Sequence, residues 1–287
     1  MAVSIRRIEA DDAAECGRIC YEAFTAIATA HNFPPDMPSP EFVAGVVMPG
    51  LIASQNVFGI VAQDQHGKLL GSSFLHEADA ISGIGPITVD PQAQNAGVGT
   101  ALMAAALERS AQKGFAGCRL VQAAYHCRSL SLYTKLGFST REPLSCFQGP
   151  AIGETLAGYA VRAVTAEDAA ACDALCARIH GADRKGELRS AIAAGTARLV
   201  ERAGRVTGYT TAIAFFAHSV AETNDDLMAL IGAAEAFGGP GFLVPTRNGE
   251  LMRWCLGKGL KITQPMTLMS MGLYNEPAGA FLPSVIY

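Results

Sequence analysis

No basic run interrupts this sequence. Its 22 Lys and Arg are scattered among 26 Asp and Glu, for a formal net charge of −4, so nucleic acid is not an expected partner. Long apolar runs are missing too. None approaches the roughly 20 residues that span a bilayer, and "MAVSIRRIEADD" turns charged too early for the apolar core of a signal peptide, so no membrane partner is expected. Eight Cys occur without one CxxC pair, in a chain too large to need staples; reduced, mostly buried thiols and a cytoplasmic address are the expectation. The six His form no HxxxH or Cys/His ligand spacing, so no metal is expected. Trp occurs once, as Trp254, at what reads as a core position.

What is present is a chain of 287 residues, half of them hydrophobic and 17% charged, which suits about two globular domains. The chain also echoes itself. "IRRIEADDAAECGRIC" (5–20) aligns with "VRAVTAEDAAACDALC" (161–176), bringing Arg6 to Arg162, Asp12 to Asp168, and Cys16 and Cys20 to Cys172 and Cys176. Both copies read as a short strand followed by a helix with an acidic first turn. A second echo joins "HCRSLSLYTKLGF" (126–138) to "NGELMRWCLGKGL" (248–260), pairing Leu132 with Trp254, Tyr133 with Cys255 and Gly137 with Gly259. Two related domains, the second trimmed, are expected over 1–150 and 151–287, with the join near "GPAIGETLAG" (149–158).

Strands are expected in "NVFGIVAQ", "KLLGSSFLHE", "AISGIGPITV" and "CRLVQAAY", with "DQHG" as a hairpin turn and helices after the last two. The third strand runs into "QNAGVGTAL" (94–102), where two glycines precede a helix. At a helix start the first N–H groups lack partners and the dipole favours an anion, which glycines allow to come close. No GK[ST] follows as in a nucleotide P-loop, and no GxGxxG is present. A glycine turn from strand to helix, with no ligand, is the alternative.

The order Gln94, Asn95, Ala96, Gly97, Val98, Gly99, preceded by "VDP" (89–91) and followed by "LYTKLGF" (132–138), resembles the GNAT superfamily of N-acetyltransferases. The resemblance is clearest over 3–148. It implies an α/β (α+β) fold of two GNAT-like domains, each a mixed, mostly antiparallel sheet flanked by helices, the second degenerate, and acetyl-CoA or a related acyl-CoA as donor. Carried over, the pantetheine arm meets the main chain of Thr88 and Val89, and the pyrophosphate meets amides from Asn95 to Thr100. His126 stands where the family often has an Asn that contacts pantetheine, which leaves that contact open. Lys135 is placed either to approach a CoA phosphate or simply to face solvent.

Amide formation needs a neutral amine, a stabilised oxyanion and a proton for the departing thiolate. Tyr133 holds the family's general-acid position, and a phenol is protonated at neutral pH; packing beside the donor is the alternative role. For the base, His76, Glu77 and Asp79 lie at the end of an apolar strand. Glu77 is the expected base, against the alternative of a solvated hairpin carboxylate. Cys127 is expected to be structural, with direct transfer and no acyl-enzyme.

In the second copy, "ETNDDLMALIGAAEAF" puts Glu222, Asp225 and Asp226 where the glycine loop would stand. Thr223 or Asn224 as cap and the aspartates as dipole partners would leave no room for a pyrophosphate, so one donor site per chain is expected. The second half then covers a sheet edge or walls the acceptor pocket. Between Arg18 and Arg109 the only basic residue is Lys68, against Glu22, Asp36, Glu41, Asp64, Glu77, Asp79, Asp90 and Glu108. An acidic groove there would draw a cationic primary amine, small or on a protein. An N-acetyltransferase is the expected function, with a non-catalytic acyl-CoA-binding regulatory protein as the alternative; oligomeric state is not legible.

Overall fold

A computed structural model describes residues 3–286. In chain order, the first half runs β1 (Ser4–Arg7), α1 (Ala13–Ala30), α2 (Pro40–Phe42), a π-helical turn (Val43–Val47), α3 (Met48–Ala53), β2 (Val57–Gln63), β3 (Leu69–His76), β4 (Ser82–Val89), α4 (Val98–Gln112), β5 (Gly117–Ala123), α5 (Cys127–Lys135) and β6 (Ser139–Gln148). The second runs β7 (Tyr159–Ala163), α6 (Ala169–His180), α7 (Lys185–Ala193), β8 (Arg198–Arg202), β9 (Arg205–Thr210), β10 (Ser219–Ala221), α8 (Asn224–Gly232), β11 (Phe242–Pro245), α9 (Gly249–Gly257), β12 (Lys261–Gly272) and β13 (Ala280–Leu282). Residues 149–158 carry neither helix nor strand. Among the described residues no helix is long and apolar enough to cross a membrane.

The sequence echoes are physical repeats. Arg6 grips both oxygens of Asp12 at 2.7 and 2.8 Å, and Asp12 also accepts the Glu9 N–H. Arg162 grips Asp168 at 2.6 and 2.8 Å, and Asp168 accepts the Thr165 N–H. In both copies the hydrogen bonds from Arg hold the carboxyl below its ordinary pKa. The paired thiols of Cys16 and Cys20, and of Cys172 and Cys176, are fully buried on the helix face that follows. The later echo matches in its backbone: His126 caps α5 by accepting the Ser129 N–H, and Asn248 caps α9 by accepting the Leu251 N–H.

The halves exchange strands. One sheet has eight strands in the order β1-β2-β3-β4-β5-β12-β6-β11; a second has five, β13-β10-β9-β8-β7. Thus β12, from the end of the chain, lies between β5 and β6, pairing Met266 with Ala123 on one side and with Leu144 on the other. In return β6 pairs with β11, from Phe147 opposite Phe242 to Leu144 opposite Pro245. The core crosses with them: Leu144 and Cys146 pack with Phe215, Leu243, Met266 and Leu268. Behind the β3–β4 loop, Asp79 accepts the Gly186 N–H at 2.7 Å. Next in α7 is Glu187, 2.9 Å from the buried His218, whose other nitrogen meets the Tyr209 hydroxyl at 2.9 Å.

The apolar stretch "GYTTAIAFFAHSVA" (208–221), strand-like along its length, is shared between two strands. β9 stops at Thr210 and β10 starts at Ser219, while the segment between them loops out, held by the Phe215 N–H on the Gly238 carbonyl. An apolar run signals burial, and here the burial is against the first half.

Removing β12 bares the edges of β5 and β6, which templates aggregation. A fragment of residues 1–150 is therefore predicted to be insoluble or to unfold without cooperativity, and to be rescued by co-expression of 151–287. Denaturant unfolding of the purified fragment checks this; a soluble, cooperatively unfolding monomer would contradict it.

Candidate functional site

β4 and β5 pair in parallel only at their first residues, Ser82 with Cys118 and Gly83 with Arg119. Beyond that they diverge, so the main chain from Gly85 to Val89 faces Leu120 to Ala123 across a gap. This gap is part of a cavity of about 1010 Å³. Its walls are largely apolar, and both halves of the chain contribute to them.

At one end lies the glycine loop. The Asp90 side chain accepts the Gln92 N–H at 2.8 Å and meets Arg18 at 3.3 Å, fixing the turn after β4. Gln94 donates to the Val89 carbonyl at 3.4 Å. Asn95 and Gly97 both take left-handed backbone, φ 66° and 82°, which turns successive N–H groups toward one concavity. Gly97 is the N-cap of α4; no side chain caps that helix and no acid sits in its first turn. The vacant donors and the dipole together make an anion site. A Cβ on Gly97 would meet nothing but would suffer the positive φ, whereas one on Gly99 would make only ordinary contacts with Leu132 and Val89. The only full cations lining the cavity among the described residues, Arg128 and Lys135, come from α5.

Tyr133 lines the cavity and is 6% exposed; burial pushes its phenol up to about 12, so it is a proton donor at any physiological pH. His126 also lines the cavity. Burial first, then Arg128 and His31, push its pKa down to about 4. Its Nδ1 accepts the Ser129 N–H at 3.4 Å, which leaves the proton of the neutral ring on Nε2. Thr88, Val89, Gln94, Asn95, Gly97, Val98, Gly99 and Thr100 line the same cavity. Ala96 does not; it is on the exposed outer side of the loop.

Glu77 is a correction. Its carboxylate is clasped by Arg109 at 2.8 and 3.2 Å, and the cavity is lined by the preceding residue, His76. Adjacent residues at a strand end point to opposite faces, so only one of the pair can reach the gap. Burial lowers the His76 pKa, and its Nε2 lies 2.7 Å from the Gly85 carbonyl, so the neutral ring donates there and keeps a lone pair on Nδ1. The acidic groove shrinks likewise. Glu22 and Asp90 are bound to Arg18, and among the described lining residues Asp36 is the only carboxylate. Seven cysteines are buried, but Cys127, expected as a structural thiol, is exposed.

The sequence singles out Asp36 only as one of eight acidic candidates for the groove, and nothing in it marks what the second half supplies to the cavity: Phe215 and Phe216 from the loop between β9 and β10, and Met266 from β12. Gln264, also from β12, donates to Asp36 at 2.8 Å. No local signal marks these, because strand exchange brings them in.

The start of α8, which corresponds to α4 in the second half, is closed. Thr223 accepts the Asp226 N–H and Asp226 accepts the Thr223 N–H, a reciprocal capping box. Asp226 is fully buried and also accepts from the Thr207 hydroxyl and the Arg202 guanidinium. Among the described residues no group of His, Cys, Asp or Glu is gathered to hold a metal.

A family model described as the acetyltransferase (GNAT) domain matches residues 54–140. A Pyrococcus horikoshii protein described as an acetyltransferase superposes with a TM-score of 0.71 at 16% identity, over 99% of this chain and 92% of its own. A GCN5-related N-acetyltransferase from Sphaerobacter thermophilus gives 0.59 at 15% identity, over 97% and 98%. A tandem GNAT protein from the clavulanic acid biosynthesis pathway gives 0.52 at 13% identity, over 94% and 98%. At such identities the likeness concerns the fold. A search of curated proteins finds no match. The chain thus contains a GNAT acetyltransferase domain, set in a two-part fold like that of a tandem GNAT protein.

Proposed function

We propose that this protein is an N-acetyltransferase that takes acetyl-CoA, or a related acyl-CoA, as donor and a primary amine as acceptor, by direct transfer. The observation that carries the reading is the uncapped start of α4, opening into the cavity that Tyr133 lines. Residues 1–150 form the donor-binding, catalytic part, and 151–287 a degenerate GNAT-like part that holds no donor. The diphosphate sits on the amides of Asn95 to Thr100, with Arg128 and Lys135 as neighbouring cations. Pantetheine lies in the gap between β4 and β5, against the main chain of Thr88 and Val89 and within reach of the His126 Nε2–H. Eight free cysteines suit a reducing compartment, the cytoplasm.

The amine attacks the thioester carbonyl, the C–S bond breaks, and the thiolate takes its proton from the Tyr133 hydroxyl. His76 takes Glu77's place as the group that receives the amine proton. Its lowered pKa keeps it unprotonated at neutral pH and lets it pass the proton on to solvent.

Two outcomes are predicted. In a thioester-consumption assay over a panel of amines, Tyr133→Phe lowers kcat by roughly 100-fold or more while donor affinity stays within about twofold. Tight CoA binding with no amine consumed by the wild type would instead favour a non-catalytic acyl-CoA-binding protein. Gly97→Ala weakens CoA binding, because a side chain strains the left-handed cap, while Gly99→Ala is tolerated; calorimetric affinities for both variants check this, and equal losses would contradict it.

A further inference from the structure

The cavity is asymmetric in charge. The α4 end has the free amides, Arg128 and Lys135, while Asp36 stands as the lone carboxylate among the described lining residues. Asp36 comes from the loop after α1 and is fixed from the other half of the chain. The Gln264 Nε2–H donates to it at 2.8 Å, and Gln264, 2% exposed, in turn accepts from the Tyr125 hydroxyl at 3.3 Å. Tyr125 is stacked on Phe33, ring centroids 4.3 Å apart. No cation pairs with Asp36 among the described residues, and burial raises its pKa. A half-buried carboxylate held in place in a largely apolar cavity, without a counter-charge, favours a cation that enters beside it.

A second polar group lines the cavity elsewhere. Gln122 of β5 lines the cavity at 6% exposure, and neither its amide nitrogen nor its oxygen has a hydrogen-bond partner. Buried amides are rarely left so, and a binding site is one setting in which a ligand completes them. Gln122 is not beside Asp36: Thr267 opposite Gln122 and Met266 opposite Ala123 put Gln122 on the face of the sheet away from Met266 and Gln264, and the cavity's apolar lining includes Phe24, Met37 and Phe42 from the first half and Phe216 and Met266 from the second. Phe42 and Phe216 are also 42% and 46% exposed, as residues at a cavity mouth would be.

We infer that the part of the cavity around Asp36 is an acceptor subsite for an ammonium carried on an apolar body, with Asp36, held by Gln264, as its anchor. The inference rests on the transferase reading for its meaning, not for its test. The amine enters as its ammonium, pairs with Asp36 and lays its alkyl or aryl part on the phenylalanines and methionines; it sheds one proton to solvent before it attacks, and the proton released after attack passes to His76. An amine that also bears a carboxylate is disfavoured, because Asp36 repels it. A diamine is disfavoured because its second cation has no carboxylate to meet.

The test is equilibrium binding to the CoA-saturated full chain, which needs no turnover. Calorimetry would compare phenethylamine, phenylalanine and putrescine. Phenethylamine is expected to bind at least about tenfold more tightly than either of the others. Asp36→Asn, nearly isosteric and still able to accept from Gln264, is expected to weaken phenethylamine at least about tenfold. CoA affinity within about twofold of the wild type shows that the variant is folded. Phe216→Ala, at an exposed side chain of the cavity wall, is the second variant and is expected to weaken phenethylamine severalfold. Equal binding of the three compounds, no binding of phenethylamine, or unchanged affinity in Asp36→Asn would overturn the subsite. Phenethylamine binding that depends on Asp36, without acetylation of any amine, would support the subsite and sink the transferase reading instead.

Discussion

A helix start must find partners for its first N–H groups, and the two halves of this chain meet that demand in opposite ways. At α8 the protein fills the site itself, with Thr223 and the buried Asp226. At α4 it supplies nothing, and two left-handed residues, Asn95 and Gly97, turn the amides toward a cavity. The two halves thus hold one open helix start and one closed one. The difference is a carboxylate held by neighbours in the second half, against a glycine without a side chain in the first.

The exchange of β6 and β12 ties the closed half to the cavity. A strand inserted between β5 and β6 completes the sheet that forms the cavity floor, and the same strand delivers Gln264 to Asp36. The loop that interrupts β9 and β10 then brings Phe216 to the cavity. The second half therefore lines the cavity and holds Asp36, although its own helix start is closed by Asp226.

Much of this was legible in the sequence where the signal is local. Short apolar runs bounded by turn residues such as Asp64 and Gly67 placed β2 to β5 within a residue or two. Glycines marked the open helix start, and Thr223 with Asp226 marked the closed one. The Arg6–Asp12 and Arg162–Asp168 clasps were legible as a repeat, since both partners lie within one strand–helix unit. What escaped was non-local. The register of β12 against β5, the reach of Gln264 and the folding-over of the 211–218 segment depend on pairings across more than a hundred residues, or on packing between halves. Glu77 failed for a local reason that strand alternation already contained: if His76 faces the cavity, its neighbour faces Arg109.

The central claim is that the donor's diphosphate is held by main-chain N–H groups at α4 and nowhere else in the chain. Hydrogen exchange of the full-length protein, with and without saturating CoA, tests it most directly. The account predicts slowed exchange of amides from Asn95 to Thr100, with none at Asn224 to Leu227. Protection at both helix starts, or at neither, would contradict it.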